Sequence, residues 1–206
     1  MTSTATLGAG YFERMYQAAA DPWGFESRWY ERRKYALSAA MLPAERYRRG
    51  FEPGCSIGVF SSMLAGRCDQ LLSCDLARPA VEAAAARVRH LPQVEVQQRT
   101  MPGDWPSGRF DLLVFSEFLY YFGDEDLPRV LDLGAAALNE GGTLLAVHWR
   151  HPVAEYPRSG DEVHAELAAH PRLARLVSHS EPDFLAEIYL RTDQAARSVA
   201  QSTGLA

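Results

Sequence analysis

The chain has few residues of the kinds that mark secreted, metal-binding or membrane-spanning proteins. Its three cysteines, Cys55, Cys68 and Cys74, are odd in number and form no Cys-x-x-Cys pair, so we expect neither a disulfide framework nor a zinc site. The first ten residues have no basic start and no apolar stretch, which predicts no signal peptide. No apolar run approaches the ~20 residues that cross a bilayer. We therefore expect a cytoplasmic protein that holds no metal and does not enter a membrane.

Positive charge is also scarce. The formal net charge is −5, which argues against nucleic acid as a partner because a phosphate-binding surface is basic. Lys34 is the only lysine among 21 basic residues, which we interpret, together with the excess of alanine, as genome composition. At 206 residues with 47% hydrophobic content, the chain is expected to form one globular domain.

Turn and breaker residues divide this domain into four predicted segments. They are a partly disordered start (1–20), a helical lid (21–49), a core (50–191) and a tail (192–206). Within the first two segments we predict disorder over 1–10 and helices over 11–20, 27–41 and 44–48. The helix over 27–41 ends before Pro43, which breaks it. The tail is expected to be frayed.

Alternating strands and helices over the core predict an α/β fold. The predicted strands are 50–52, 71–74, 94–98, 111–115, 143–149, 174–179 and 184–191, and the helices between them are 59–66, 79–90, 127–138 and 161–169. Helical crossovers between consecutive strands require a mostly parallel sheet. The last two strands are joined by residues 181–183 alone, which predicts a closing hairpin.

Residues 52–58 form the most informative stretch, because they lie between the first predicted strand and its helix. Gly54 and Gly58 let the backbone turn sharply there and lie against a ligand, and the helix points its positive end at the same place. Asp75 ends the second strand, where a carboxylate can accept hydrogen bonds from the two hydroxyls of a ribose. Together these features predict a nucleoside-binding βαβ unit.

The details of the turn disfavour a dinucleotide. The dinucleotide fingerprint has glycine at its first, third and sixth positions, but counting from Gly54 the other two positions hold Ser56 and Val59. The acidic Glu52 suits a cationic ligand better than a pyrophosphate. A nicotinamide oxidoreductase is therefore an alternative that these residues count against.

Glu-x-Gly-x-x-x-Gly followed by a strand-end Asp resembles motif I of the class I S-adenosylmethionine-dependent methyltransferases. The resemblance implies S-adenosyl-L-methionine as cofactor, whose ammonium and sulfonium groups explain nearby acids, and S-adenosyl-L-homocysteine as product. It also implies a Rossmann-like fold with a seven-stranded, mostly parallel sheet, a C-terminal antiparallel hairpin and an N-terminal helical lid.

Polar and aromatic residues follow the third and fourth strands, at the edge where ligands of open α/β sheets bind. In the implied fold Thr100 and Met101 would lie beside the adenine, and the Met101 thioether could cover one face of the ring. Topology would place Ser116, Glu117 and Tyr120 beside the sulfonium. Aromatic faces near Tyr120 can exclude water and attract a cation.

His148 ends the fifth strand at the mouth of the same predicted site. Methyl transfer to an amine requires the neutral amine, so a base is needed. Our hypothesis is that His148 accepts the proton while Glu117 and Tyr120 orient the amine.

The N-terminal helical segment combines aromatic and cationic residues. A turn carrying Trp23 and a helix carrying Tyr30 and Arg33 could fold over the cofactor, and Arg33 could pair with its carboxylate. The stretches 21–27 and 29–35, with motif I and Ser-Glu-x-x-Tyr-Tyr after the fourth strand, resemble the nodulation protein S family, and the similarity runs from about residue 21 to 191.

That family's members are N-methyltransferases acting on the free amine of a chitin oligosaccharide. The resemblance implies N-methylation of a free amine on an amino sugar or related small molecule, so the expected partner is a small-molecule or oligosaccharide amine. Alternatives are an O-methyltransferase of a small metabolite or sugar and a non-catalytic S-adenosylmethionine-binding module. The acceptor's identity and the oligomeric state stay open. The full set of predicted cofactor-binding residues is Trp23, Tyr30, Arg33, Glu52, Gly54, Cys55, Ser56, Gly58, Asp75, Leu76, Thr100, Met101, Ser116 and Glu117.

Overall fold

The computed structural model describes residues 5–192 and 194–206, and over these residues seven strands form one sheet. The strand order is β3-β2-β1-β4-β5-β7-β6. The first five strands are mutually parallel, and β7 is antiparallel to both β5 and β6. The strands are β1 (Tyr47–Pro53), β2 (Cys68–Asp75), β3 (Val94–Gln98), β4 (Phe110–Ser116), β5 (Leu138–Trp149), β6 (Leu173–Ser180) and β7 (Phe184–Arg191). The predicted Rossmann-like fold with a closing hairpin is confirmed.

Helices cover both faces of this sheet. The described helices are α1 (Ala9–Ala18), α2 (Trp29–Met41), α3 (Val59–Leu64), α4 (Arg78–Val88), α5 (Asp126–Ala137), α6 (Gly160–Ala169) and α7 (Val199–Ser202), with short 3-10 turns at Ala65–Arg67 and Leu119–Tyr121. Among them, none combines the length and the hydrophobicity needed to span a bilayer.

Strand β4 shows how the core is divided. Its side chains alternate between the two faces of the sheet: Leu113 and Phe115 enter one hydrophobic cluster, and Leu112 and Val114 enter the other. All four are fully buried, as expected of a central parallel strand covered by helices on both sides. The strand order reverses between β1 and β4, which opens a crevice at their carboxyl ends. The fold therefore places a ligand site beside the turn that follows β1.

Two predicted boundaries near the strands are wrong. The helix predicted over 44–48 does not form, because Tyr47 is buried and pairs with Cys68 at the start of β1. The helix predicted to reach Leu138 stops at Ala137, and β5 already begins at Leu138, which pairs with Phe110. In both places the pairing of distant strands overrides local helix propensity.

The ends of the chain also differ from expectation. Of the predicted disordered stretch 1–10, residues 1–4 lie outside the described residues. The Leu7 N–H donates to the carbonyl oxygen of Tyr121 at 2.9 Å, and α1 begins at Ala9. The tail predicted to fray contains the single-turn helix α7, which the reciprocal capping hydrogen bonds of Ser198 and Gln201 hold at its start.

Candidate functional site

The turn after β1 requires its two glycines. Gly54 has a φ of 73°, and a Cβ atom there would lie 2.7 Å from the Phe118 ring. Gly58 has a φ of 75° and would place a Cβ atom 3.0 Å from the backbone of Ala84 in α4. Both the left-handed conformation and the close contact exclude side chains. The turn is thus built to lie against Phe118 on one side and α4 on the other.

Asp75, at the end of β2, is fixed by this turn. Its Oδ2 atom accepts the Ser56 N–H at 2.9 Å and its Oδ1 atom accepts the Ala77 N–H at 2.9 Å. Burial raises the pKa of Asp75, and these backbone N–H groups oppose the rise. Each carboxylate oxygen has a further lone pair. Two acceptor sites therefore remain for a pair of neighbouring hydroxyl groups, as a ribose presents.

A cavity of about 290 Å³ opens in front of this carboxylate, and we call it the Asp75 cavity. Gly54, Leu76, Thr100 and Met101 line it as predicted for an adenosyl site, and the N-terminal segment closes it. The remaining lining residues are Thr6, Leu7, Gly8, Ala9, Phe12, Cys74, Arg99, Phe118, Tyr121, Phe122 and Asp126. Its size and mostly apolar lining suit a flat ring system with a polar edge.

A second cavity, of about 450 Å³, lies at the carboxyl ends of β4 and β5, and we call it the Glu117 cavity. Tyr121 lines both cavities, so they adjoin. The other lining residues are Tyr11, Met15, Trp23, Phe25, Arg28, Tyr30, Glu31, Lys34, Glu117, Tyr120, Trp149, Val153, Glu155 and Tyr156. The two cavities give the site two adjoining compartments.

Glu117 is held at the base of the second compartment in an unusual backbone conformation. Its φ is 52°, the left-handed region, and its N–H donates to Val147 O at 2.8 Å. Non-glycine residues in this region cost roughly 1–3 kcal/mol and tend to occur at functional sites. The Glu117 Oε2 atom accepts hydrogen bonds from the Tyr120 hydroxyl and from the Trp149 N–H, and Oε1 accepts from Lys34 at 2.6 Å.

Lys34 joins two acids into a buried cluster, which we call the Lys34 cluster: Glu31, Lys34 and Glu117. The ammonium lies 2.6 Å from Glu117 Oε1 and 2.8 Å from Glu31 Oε2, and the Lys34 side chain is only 2% exposed. Burial disfavours its charge, but Glu117 and Glu31 together raise the pKa of Lys34. One positive and two negative groups leave the cluster with a net charge of −1.

Aromatic rings form the walls around this charge. Tyr120 stacks on Tyr156 with ring centroids 4.8 Å apart, and Tyr30 meets Trp149 edge-on at 5.6 Å. The Lys34 ammonium itself lies 5.1 Å from the Tyr30 ring centroid. Rings around an acid bind cations by electrostatic attraction to their faces while excluding water.

His148 does not belong to this cavity, which contradicts its prediction as proton acceptor. It is fully buried, and its Nε2 atom accepts the Leu119 N–H at 3.1 Å. The hydrogen-bond network then assigns the proton to Nδ1, which donates to His164 Nε2 at 3.1 Å, and His164 donates to Glu187 at 2.7 Å. Burial lowers the pKa of His148 well below its usual range. The histidine instead positions the 3-10 turn that carries Tyr120.

Arg33 is likewise not beside a ligand. Both of its terminal nitrogens donate to the Glu181 carboxylate at 2.7 Å, and this ion pair joins α2 to the β6–β7 hairpin. Arg28, the N-cap residue of α2, lines the Glu117 cavity, and within the described residues its guanidinium has neither an ion pair nor a hydrogen bond. Its charge acts on Glu31, whose pKa it lowers. Among the described residues that line the Glu117 cavity, Arg28 is therefore a cation that can pair with a carboxylate.

Glu52 lies below the turn rather than in either cavity. It is 2% exposed, and its Oε2 atom accepts hydrogen bonds from the hydroxyls of Ser61 and Ser73. Burial raises its pKa to about 7, although both serines lower it. Its place is between α3 and β2, where it supports the turn.

The remaining predicted residues divide between the cavities and their surroundings. Trp23 and Tyr30 line the Glu117 cavity, where the lid prediction put them near the ligand. Those lining neither cavity are Cys55, Ser56, Gly58 and Ser116. Ser56 is tied to α1 by a 2.6 Å hydrogen bond to the Tyr16 hydroxyl.

Sequence reasoning missed Glu31 and Lys34 as site residues. The detectable signal was the position of Lys34, three residues after Glu31 and four after Tyr30, which brings Lys34 beside each of them on the helix surface. A metal is not indicated by the donors: within residues 5–192 and 194–206, no three His, Cys, Asp or Glu side chains are grouped so that they could hold one.

Comparison with known proteins gives one family. The model of the family described as Nodulation protein S (NodS) matches residues 11–145. Nodulation protein S of Rhizobium tropici is 34% identical over an alignment of 116 residues that covers 52% of this chain and 45% of that protein. The Bradyrhizobium diazoefficiens protein of the same name is 28% identical over 123 residues, 59% of this chain and 56% of that one. The chain thus aligns with about half of each curated relative.

Two solved structures extend the comparison. A candidate methyltransferase from Pseudomonas syringae is 49% identical with a TM-score of 0.71, covering 80% of this chain and all of that one. The N-methyltransferase NodS from Bradyrhizobium japonicum WM9, solved with S-adenosyl-L-homocysteine, is 23% identical with a TM-score of 0.79, covering 89% of this chain and 97% of that one. The second likeness is one of fold.

Proposed function

The chain belongs to the nodulation protein S family, and from this premise we propose that it is an S-adenosylmethionine-dependent methyltransferase that methylates the nitrogen of a small amine. The family and the fold are those of class I methyltransferases. The observation that carries the choice of acceptor is the Glu117 cavity, an acidic compartment with aromatic walls that adjoins the Asp75 cavity.

We assign the adenosyl group of the cofactor to the Asp75 cavity. The two free acceptor sites on Asp75 match the ribose hydroxyls, and Leu76, Thr100 and Met101 line the space for the base. Arg28 is the residue we assign to the cofactor carboxylate in place of Arg33, because it lines the adjoining cavity and has no ion pair among the described residues. When bound, S-adenosylmethionine supplies a methyl group on a positively charged sulfur.

The polar atoms of the Glu117 cavity favour an amine over a hydroxyl as acceptor. Glu117 Oε1 retains a free lone pair, and the Tyr120 oxygen, which donates its own proton to Glu117, can still accept. Glu31 adds a further acceptor. An ammonium brings three N–H donors and a positive charge, which complement these acceptors and the net charge of the cluster. A neutral hydroxyl brings one donor and no charge.

In this assignment the chain's own residues act by positioning and by excluding water. Glu117, held by Tyr120, Trp149 and Lys34, fixes one N–H of the acceptor, and the aromatic walls keep the compartment dry. Alignment of the reacting atoms can by itself supply a large part of a displacement's rate. We further propose an amino sugar, alone or in an oligosaccharide, as the acceptor, since this is what the family resemblance implies.

The test is methyl transfer with labelled S-adenosylmethionine to matched acceptors. Glucosamine and its oligomers are compared with their N-acetylated forms, which keep every hydroxyl but lack the basic amine, and with simple alkyl amines. We expect transfer to the free amines and none to the N-acetylated sugars. Transfer to N-acetylated sugars would indicate an O-methyltransferase. Calorimetric binding of S-adenosylhomocysteine without transfer to any compound would indicate a binding module.

A further inference from the structure

The two acids of the Lys34 cluster are not equivalent. Glu117 is tied by hydrogen bonds at both oxygens, with three donors in place. Glu31 forms one ion pair, in which its Oε2 atom lies 2.8 Å from the Lys34 ammonium, and among the described residues no donor is hydrogen-bonded to its Oε1 atom. The Glu31 residue is nevertheless only 6% exposed.

Buried polar groups are nearly always hydrogen-bonded in folded proteins, so a group without a partner beside a cavity points to a ligand. The Tyr30 hydroxyl is such a group: it is buried, Tyr30 lines the Glu117 cavity, and the hydroxyl has no hydrogen-bond partner among the described residues. Tyr30 and Glu31 therefore both line the compartment that we assign to the acceptor, and both can take a further hydrogen bond.

We propose that Glu31 is the general base of the reaction, taking a proton from the ammonium form of the acceptor. This inference rests on the proposed function. The N–H bond of the ammonium breaks, its electron pair stays on nitrogen, and the proton forms an O–H bond with the Glu31 carboxylate. The neutral nitrogen then forms the bond to the methyl carbon as the carbon–sulfur bond breaks, with that bond's electron pair left on sulfur. Glu31 returns its proton to water after the product leaves.

The surroundings of Glu31 suit this step. Burial raises the pKa of Glu31, Lys34 lowers it, and Glu117 raises it again, so that the carboxylate is a stronger base than one in water. The carboxylate of Glu117 is charge-paired and triply hydrogen-bonded, which suits it to hold the amine rather than to change its charge. The titratable and charged groups facing Glu31 are Arg28, Tyr30, Lys34 and Tyr35 on α2, Tyr11 on α1, Glu117, Tyr120 and Tyr121 after β4, and Glu155 and Tyr156 after β5.

The experiment compares the pH–rate profiles of the wild type, Glu31→Gln and Glu117→Gln with a glucosamine oligomer, or with the best amine of the acceptor panel. Below the pKa of the acceptor amine, we expect Glu31→Gln to lower kcat/KM by about 10²–10⁴-fold, the usual contribution of a general base. The difference in kcat/KM between Glu31→Gln and the wild type should shrink as the pH rises above the pKa of the amine, because the amine is then already neutral. Glu117→Gln should lower the rate at every pH.

Glu13→Gln on the exposed side of α1 is the matched control and should leave the profile unchanged. S-adenosylhomocysteine affinity and thermal unfolding are measured for every variant, so that a misfolded protein is recognised, and Glu31→Asp then serves as a second variant that keeps the base.

The proposal is supported if raising the pH restores kcat/KM of Glu31→Gln but not that of Glu117→Gln. An unchanged Glu31→Gln profile, a deficit equal at all pH values, or rescue confined to Glu117→Gln would each overturn it. If the wild-type protein methylates no amine at any pH, the proposed function itself is wrong.

Discussion

Replacing Lys34 by methionine tests whether the buried charge cluster exists as the structure describes it. Methionine is unbranched and of similar length, so the change removes the ammonium with little loss of packing. Glu31 and Glu117, whose oxygens lie 2.8 Å and 2.6 Å from that ammonium, are then left as two buried acids with no cation between them.

The size of the effect follows from the burial. Removing one partner of a buried ion pair typically destabilises a protein by about 3–5 kcal/mol. For a chain of this length, 1 kcal/mol corresponds to roughly 2–4 °C in the unfolding midpoint, so we expect a decrease of about 6–20 °C near neutral pH. The matched control is Arg46→Met, which breaks an ion pair whose side chains are 55% and 51% exposed. Exposed pairs contribute about 0–1 kcal/mol.

The pH dependence of the stability of Lys34→Met shows whether the lost charge causes the destabilisation. Lys34 lowers the pKa of Glu31, so without the cation that pKa rises further in the folded protein, and the native state binds more protons than the unfolded chain does. Stability must then fall as the pH rises through this raised pKa and recover as the pH decreases. Thermal and urea unfolding of Lys34→Met from about pH 5 to 8 should show a deficit that grows with pH.

The reasoning would be refuted by a Lys34→Met protein whose stability at pH 7.5 lies within 1 kcal/mol of the wild type, or whose deficit does not change with pH. The triple variant Lys34→Met, Glu31→Gln, Glu117→Gln removes all three charges and should recover a large part of the lost stability. Its failure to do so would assign the loss to packing.

Three further predictions concern the cofactor site and the buried histidine chain. Asp75→Asn should weaken S-adenosylhomocysteine binding about 10- to 150-fold by calorimetry, since a hydrogen bond to a charged group contributes about 1.5–3 kcal/mol. Gly54→Ala should lower both the unfolding midpoint and this affinity, because its positive φ costs roughly 1–2 kcal/mol and its Cβ atom would displace Phe118. Burial raises the pKa of Glu187, but hydrogen bonds from His164 and other donors outweigh burial and lower this pKa from 4.5 to about 2. The ionised Glu187 therefore stabilises the fold by about 3 kcal/mol above pH 4.5, and this contribution is lost as the pH falls towards 2. Glu187→Gln should remove that acid-sensitive part of the unfolding free energy.

The first two of these have a matched control variant in the chain, and Glu187→Gln is compared with the wild type. Asp69→Asn changes an exposed acid at the start of the same strand and should leave the affinity unaltered. Gly66→Ala places a Cβ atom with no neighbour within 4 Å and should be silent. An Asp75→Asn protein with wild-type affinity would contradict the assignment of the ribose site. Equal acid sensitivity in Glu187→Gln and wild type would show that Glu187 is not the responsible group.

The fold and the nucleoside half of the site were predictable because their signals are local. Gly54 and Gly58 mark a turn that only glycine can make, and Asp75 follows a strand whose end is visible in the apolar pattern. Such features depend on backbone conformation within a few residues. Leu76, Thr100 and Met101 line the Asp75 cavity together, and their role beside an adenosyl group stays a prediction.

The residues of the Glu117 cavity were predicted in outline, with His148 misplaced. Glu117 and Tyr120 follow β4 and line the cavity as predicted. His148 also lies at the end of a strand, but its side chain points away from the Glu117 cavity and is hydrogen-bonded to His164 of α6. Which way a strand-end side chain points depends on the helix packed over it, and that helix lies beyond any local pattern.

By itself, the sequence determined the order of strands and helices, the glycine turn after β1 and the resemblance to the family, since these follow from periodicity and short motifs. Only the tertiary structure decided which charges share the Glu117 cavity. Arg33 pairs with Glu181, 148 positions away along the chain, while Lys34 reaches Glu117, 83 positions away. The physical reason is that electrostatic partners are chosen by distance in space, which the packing of α2 against the sheet sets and no spacing along the chain records.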